Sequence, residues 1–523
     1  MFRALSSFLV MTLVCTGTLA AAISQSVQVE GGAVTGIPGR DRSITAFKGI
    51  PFAAPPVGNL RWREPKPVIP WKGIRKSAEF GSSCIQTIHN ELKPWTYEFM
   101  THNQISEDCL YLNVWTPAKS SAGKLPVFVY VYGGAFNSGS GAVPLYDGEG
   151  LAKKGIVVVT FNYRVGAFGF LALPELTRES PHHASGNYGL LDQIAALHWV
   201  QNNISHFGGD PTRVTVGGQS AGSISVHDLT ASPLAKGLFH GAIMESGGST
   251  IGRIGIHLPP KALAQAEADG EKFMQAEGAT TLAQLRAIPW QTLARTDPGL
   301  RFVPIVDGYV LPAPVSTVFA RGSQNDVVSL TGINTGELQG LTGARETPTT
   351  VEAYRKQATK RFGDRAGEFL KLYPAATEGE IESAMQESAR DGNVTALYLW
   401  AQVRAKNSKT PVYEYLWDHT LPGPDAARYG AFHSSELPYV FNTLYMSDRP
   451  FTPQDHEIAD VMSSYWANFV AHGDPNGKEL PRWQQVGSQP QVMEIGNDFK
   501  QVPAAGSQAK FEFWKTVLLM GSE

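Results

Sequence analysis

The pentapeptide Gly218-Gln219-Ser220-Ala221-Gly222 constrains this chain more than any other feature. It follows the β-rich run Arg213-Val214-Thr215-Val216-Gly217 and precedes residues 223–229, which can open a helix. A G-x-S-x-G set between a strand and a helix is the pattern of a nucleophile elbow, in which a tight turn holds a strained serine at the top of a sheet. Glycines on either side remove side chains that would clash there. Without that context the same residues read as a Gly/Ser-rich loop. Within it, Ser220 is the candidate nucleophile.

The flanking sequence supplies a sheet for such an elbow. Residues 110–115, 126–132, 155–161, 241–246, 326–332 and 411–416 read as strands, and the unbroken apolar run 126–132 suits a sheet buried on both faces. Residues 188–204 carry apolar positions near a 3.6-residue period and predict a helix, as does the amphipathic stretch 456–472. Strands alternating with helices imply an α/β architecture with a large, mostly parallel central sheet covered on both faces. Short runs at 26–30 and 33–36, separated by Gly31-Gly32, predict an antiparallel opening meander. The charged helical stretches 258–300 and 346–395 are expected as caps near the end of the sheet where ligands enter.

The bulk numbers exclude some classes. A net charge of -3 over 523 residues gives no basic face for nucleic acid. The start of the chain has a basic Arg3, an apolar centre at 8–15 and the small residues Ala20-Ala21-Ala22. That is a secretory signal-peptide pattern over residues 1–22, with an apolar run too short to span a bilayer. A buried N-terminal helix is the alternative. The remaining chain, 23–523, is expected as a single domain, secreted or periplasmic, without stable membrane insertion. Its two cysteines, Cys84 and Cys109, form an even pair in an exported chain, which predicts a disulfide enclosing an Ω-like loop. Two free buried thiols are the other reading. No Cys/His cluster has metal-ligand spacing, so no metal is expected.

A serine hydroxyl needs a base, and the base needs a carboxylate to fix its tautomer. Among 13 histidines, His433 stands out in the loop-like Gly430-Ala431-Phe432-His433-Ser434-Ser435-Glu436. His419 and His472 remain open on chemistry alone. Glu337 lies just past the end of a buried strand, where site residues of open α/β sheets belong, although a solvated loop carboxylate would look the same. Backbone amides for an oxyanion fit Tyr132-Gly133-Gly134-Ala135-Phe136-Asn137-Ser138-Gly139, together with the amide after the nucleophile. A plain tight turn is the alternative there.

Taken together these pieces resemble the type-B carboxylesterases, the family of cholinesterases and bacterial para-nitrobenzyl esterases. The likeness runs from about Val29 to Trp514, through Ala46-Phe47-Lys48-Gly49-Ile50-Pro51-Phe52-Ala53, Ser106-Glu107-Asp108-Cys109-Leu110-Tyr111-Leu112-Asn113-Val114, Asn162-Tyr163-Arg164-Val165-Gly166 and Phe207-Gly208-Gly209-Asp210-Pro211. The resemblance implies an α/β-hydrolase fold with helical cap insertions. It implies Ser220 as nucleophile, Glu337 as acid, His433 as base, and Gly134, Ala135 and Ala221 as oxyanion-hole positions. Cys84 and Cys109 match the family's first disulfide.

Two positions depart from the family pattern. Gln219 stands where glutamate is usual before the nucleophile, and Ala135 where glycine is common. Trp95 lies inside the Cys84–Cys109 loop, near where cholinesterases hold a choline-binding tryptophan, but at a different offset. A packing role is expected for it rather than a cation–π site.

The expected activity is ester hydrolysis through an acyl-serine, with a small-molecule ester as substrate and no cofactor. A lipase or a specialist esterase for bulky esters would use the same chemistry. A catalytically dead binding or adhesion protein is the reading from another class. Oligomeric state and the physiological ester are not encoded in any motif found.

Overall fold

Among the described residues eleven strands share one sheet, and its central strands have no polar side to turn outward. Val127, Phe128, Val129 and Val131 are all fully buried, as are Val157, Val158 and Val159 in the neighbouring strand. A computed structural model describes residues 23, 25–89, 91–248, 260–295, 299–337 and 348–520. The strand order is Phe499–Pro503, Gln491–Ile495, Val412–Trp417, Val328–Asn334, Gly241–Glu245, Gly209–Gln219, Leu125–Val131, Val157–Phe161, Tyr111–Thr116, Thr45–Pro51 and Ile37–Pro38. From Gln491–Ile495 to Val157–Phe161 every neighbouring pair is parallel. Both ends of the sheet turn antiparallel.

The parallel core aligns the strand ends that matter. The segments carrying Gly134, Ser220, Glu337 and His433 follow the strands Leu125–Val131, Gly209–Gln219, Val328–Asn334 and Val412–Trp417. In a parallel sheet these C-terminal ends lie on one edge, where open α/β sheets bind ligands.

Helices flank the sheet. Tyr188–Asn203 and Ala221–Ala231 pack with Gly209–Gln219, and Pro453–His472 packs on Leu125–Val131 and Gly209–Gln219. The last helix begins earlier than its apolar period suggests. Thr452 and Asp455 form a capping box around Pro453, and Gly473 ends the helix at φ 70°. These are standard start and stop chemistries, legible in Thr452-Pro453 and Gly473.

The expected antiparallel opening pair forms between Val27–Val29 and Gly32–Thr35, and Ile74–Lys76 adds parallel to the second strand to complete a separate small sheet. The second expected cap is in part a crossover. Its 28-residue helix Glu378–Ala405 buries positions 391–401 between the strands Val328–Asn334 and Val412–Trp417 that it connects and the helix Gln508–Met520. Charge in its first half concealed this, because only the second half faces the sheet. The expected leader, residues 1–22, and the segment 338–347 lie outside the described residues.

Cys84 and Cys109 are joined by a disulfide. Both are buried, at 1% exposure. Among the described residues no helix is long and apolar enough to cross a membrane.

Candidate active site

Ser220 sits at φ 59°, ψ −122°, a conformation that a non-glycine residue adopts at a cost of about 1–3 kcal/mol. The turn is held from both sides. The Ser220 amide donates to the Glu245 carbonyl at 2.9 Å, and the Ser220 carbonyl accepts from Ile224 at 3.0 Å, opening the helix Ala221–Ala231. Gly222 is required by space: a Cβ there would lie 2.0 Å from the Val131 carbonyl oxygen. Sequence and strain therefore meet at one turn, which pushes Ser220 toward a cavity of about 350 Å³.

The same cavity is lined by His433, Gln219 and the Gly-rich loop through Gly133, Gly134 and Ala135. That loop leaves the strand Leu125–Val131 through Tyr132, whose ring stacks on Tyr163 at 4.4 Å. Each tyrosine hydroxyl donates to the other's carbonyl, at 2.8 and 2.9 Å. Gly134 then takes φ 118°, where a Cβ would strike the Ser138 carbonyl, and Ala135 takes φ 55°. Among the described residues no protein acceptor takes the amide hydrogens of Gly134, Ala135 or Ala221. They remain available to an oxyanion.

His433 Nδ1 lies 2.6 Å from Glu337 Oε2, both side chains buried. A carboxylate only accepts, so this bond puts the hydrogen on Nδ1 and leaves Nε2 with its lone pair. Glu337 is aimed by its own strand end: its Oε1 accepts the Asn334 amide at 2.8 Å. The two loops are then stitched together. Gly336 bridges Phe432, the Gly336 amide donates to Ala431 at 3.0 Å, and Asn334 Nδ2 donates to the Phe432 carbonyl at 2.7 Å. Thus the structure brings the His433 and Glu337 side chains together, with His433 and Ser220 on one cavity wall.

The remaining contact is open. Among the described residues, Ser220 closes no hydrogen bond to His433; instead Gln219 Nε2 lies 3.2 Å from His433 Nε2 and 3.4 Å from Nδ1. Near-equal distances to both ring nitrogens place the Gln219 amide over the imidazole rather than along the in-plane Nε2 lone pair. Catalytic hydrogen bonds are often long without substrate and tighten when it binds. His419 is occupied elsewhere, between Asn497 and Asp455, which removes it as a rival base.

Some residues of this site carry no sequence motif. Glu436 accepts from Asn334 Nδ2 at 2.5 Å and is wholly buried. Burial, and then the nearby Glu337 charge, push its carboxyl up to about 7. Glu245 is also buried, with Trp466 Nε1 donating to it at 2.8 Å; burial and then Glu436 hold its carboxyl well above the usual range. A carboxylate beside Leu437-Pro438, three residues past a candidate base, was the available sign for Glu436. Trp95 packs as expected, but with a specific partner: its indole Nε1 donates to the His433 carbonyl at 3.0 Å. Among the described residues no cluster of three or more His, Cys, Asp or Glu side chains could hold a metal ion.

Comparison with known proteins adds an independent line. Residues 23–514 match the model described as "Carboxylesterase family". The chain is similar to a fumonisin B1 esterase of Sphingopyxis macrogoltabida, 39% identical over 487 residues, covering 90% of this chain and 86% of that protein. It is 32% identical over 519 residues to a cocaine esterase of Homo sapiens, covering 93% and 89%. It is 33% identical over 503 residues to pyrethroid hydrolase Ces2e of Rattus norvegicus, covering 91% and 86%.

Proposed function

This chain belongs to the carboxylesterase family and is a carboxylic ester hydrolase, and from that premise we propose that it works through an acyl-serine intermediate on Ser220. The observation that carries this reading is the 2.6 Å bond between His433 and Glu337 on a cavity that also receives the strained Ser220.

In the proposed sequence Ser220 Oγ attacks the ester carbonyl as its proton passes to His433 Nε2. Glu337 holds the opposite N–H and stabilises the imidazolium. The carbonyl oxygen becomes an oxyanion facing the amides of Gly134, Ala135 and Ala221, a type of contact worth about 10²–10³ in rate per donor. The carbon–oxygen ester bond breaks, and the alcohol leaves with the proton from His433. Water then gives a proton to His433 and attacks the acyl carbon. The acid departs and Ser220 recovers its proton. For this to run, the Ser220 hydroxyl must close a hydrogen bond to His433 Nε2 beside the Gln219 amide.

The substrate class is a small-molecule ester whose apolar portion fits against Leu92, Trp95, Phe99, Met100, Val143 and Tyr146. Export to an oxidising compartment behind a cleaved leader at 1–22 accords with the Cys84–Cys109 disulfide. The test is hydrolysis of p-nitrophenyl butyrate by the wild type and Ser220→Ala. A loss of roughly 10⁴–10⁶-fold in kcat is expected. Equal rates would end the assignment of Ser220.

A further inference from the structure

The disulfide-closed segment 84–109 does more than line the cavity. It touches the two catalytic loops that come from opposite sides of the serine. At one end Gln86, which is buried, makes a reciprocal pair with the oxyanion loop. Its Nε2 donates to the Gly139 carbonyl at 2.8 Å, and the Gly139 amide donates to its Oε1 at 2.8 Å. At the other end Trp95 Nε1 donates to the His433 carbonyl at 3.0 Å, with the indole edge-on to the imidazole at 6.4 Å. Phe99 meets Phe432, the residue before the base, at 6.0 Å.

The segment itself is tied down on both flanks. Leu92 and Trp95 exchange backbone hydrogen bonds at 3.1 and 2.9 Å, which makes a tight turn presenting the indole. Arg449 holds the stretch just beyond it, pairing with Glu98 at 2.5 Å and donating to Thr96 Oγ1 at 2.6 Å. Lys93 pairs with Asp425 at 2.6 Å. The disulfide joins the ends of the segment beneath these contacts.

We propose that this disulfide-closed segment is a brace that sets the distance between base and oxyanion loop, with Trp95 and Gln86 as its positioning residues. The idea rests on the His433 reading given above. A hydrogen bond to the His433 carbonyl fixes the backbone from which the imidazole hangs. A reciprocal pair at Gly139 fixes the far end of the loop whose amides face the oxyanion. Misplacing a reacting group by an ångström costs up to about 100-fold in rate. Trp95 and Gln86 act on turnover, whereas cavity walls alone would act on substrate binding.

The test uses p-nitrophenyl butyrate and the full chain. Trp95→Phe keeps an apolar ring and deletes the N–H. Its kcat is expected to fall about tenfold with KM changed by less than about threefold. Trp95→His overlays its Nε2–H on the lost indole nitrogen, and at pH 8 it should recover at least about threefold of that kcat. In a Glu337→Gln background, where His433 is already uncoupled, Trp95→Phe should cost less than about twofold, since residues acting through one group are not additive. Each variant's thermal midpoint is measured alongside. If Trp95→Phe no longer melts cooperatively, Trp95→His decides on the same scale: kcat within about threefold of wild type supports the brace, and a larger loss overturns it. A Trp95→Phe enzyme with kcat within about twofold of wild type overturns the brace, as does an equal loss in both backgrounds. If Ser220→Ala is inactive while Trp95→Phe is unimpaired, only the brace fails; if Ser220→Ala is fully active, the triad reading fails first.

Discussion

The serine elbow and the base loop lie on the same cavity, yet they are built on different principles. The elbow is local. Its strain, its glycine and its two bracing hydrogen bonds sit within a few residues of Ser220 or on the adjacent strands. The base loop is assembled from afar. His433 is oriented by Glu337, 96 positions away, and its carbonyl is held by Trp95, 338 positions away. A short motif can specify a turn. It cannot specify a hydrogen bond between segments that meet only after the sheet has formed.

That contrast can be attacked directly. After loss of the nucleophile itself, the largest expected effect is on the base side: Glu337→Gln keeps the shape but no longer stabilises the imidazolium. kcat should fall roughly 10³–10⁴-fold with the thermal midpoint little changed. Steady-state kinetics with p-nitrophenyl butyrate read this out, and a variant within about tenfold of wild type would mean that another acid serves.

On the elbow side, Gly222→Ala should act on stability as well as rate. Its methyl would sit 2.0 Å from the Val131 carbonyl oxygen and 2.9 Å from that of Tyr132, both backbone atoms. A loss of about 1–3 kcal/mol is expected from such overpacking. Urea unfolding of the wild type and variant measures it. An unchanged midpoint would show that the turn has slack that the local picture denies.

A second stability effect, of similar size, concerns Glu436, which ties the base loop to the strand end carrying Glu337 through Asn334. Its carboxyl lies near 7 in the fold against 4.5 when free, because burial and then Glu337 disfavour the charge. Below about pH 4.5 both states are protonated, and the group costs nothing. As pH rises toward 7 the unfolded chain ionises first, so native stability falls; above 7 the cost is constant. Glu436→Gln removes that dependence. Relative to it, the wild type should lose roughly 3 kcal/mol between pH 4.5 and 7. Parallel denaturation curves at pH 4.5, 6 and 8 test this, and a constant gap between the two proteins would count against it. Glu337, Glu245, His433 and Tyr415 surround the group, and the Glu436 charge itself holds Glu245 and Tyr415 up, so the glutamine variant reads the coupled cluster centred on Glu436.

Much of the fold was readable because a strand buried on both faces leaves a continuous apolar run, as at 126–132; the helix expected at 188–204 also forms, but it is buried on most of its surface, Asp192 and Gln193 included, and His198 from the expected apolar period is exposed. Where only half an element was buried, the pattern failed: Glu378–Ala405 looks charged at its start and is core at its end. Loop context made His433 stand out among 13 histidines, but left His419 and His472 open, and its pairing with Glu337 came from resemblance rather than from spacing.

The sequence by itself determined the elbow, the parallel sheet beneath it and the oxyanion loop's glycines, since each is a constraint among near neighbours or a repeating pattern of burial. The tertiary structure decided what surrounds them: Gln219 against the imidazole, Trp95 on the carbonyl of His433, and Glu436 shared with Asn334. Those contacts depend on where distant segments come to rest. Hydrogen-bond geometry over a few ångströms is fixed only once the core has packed.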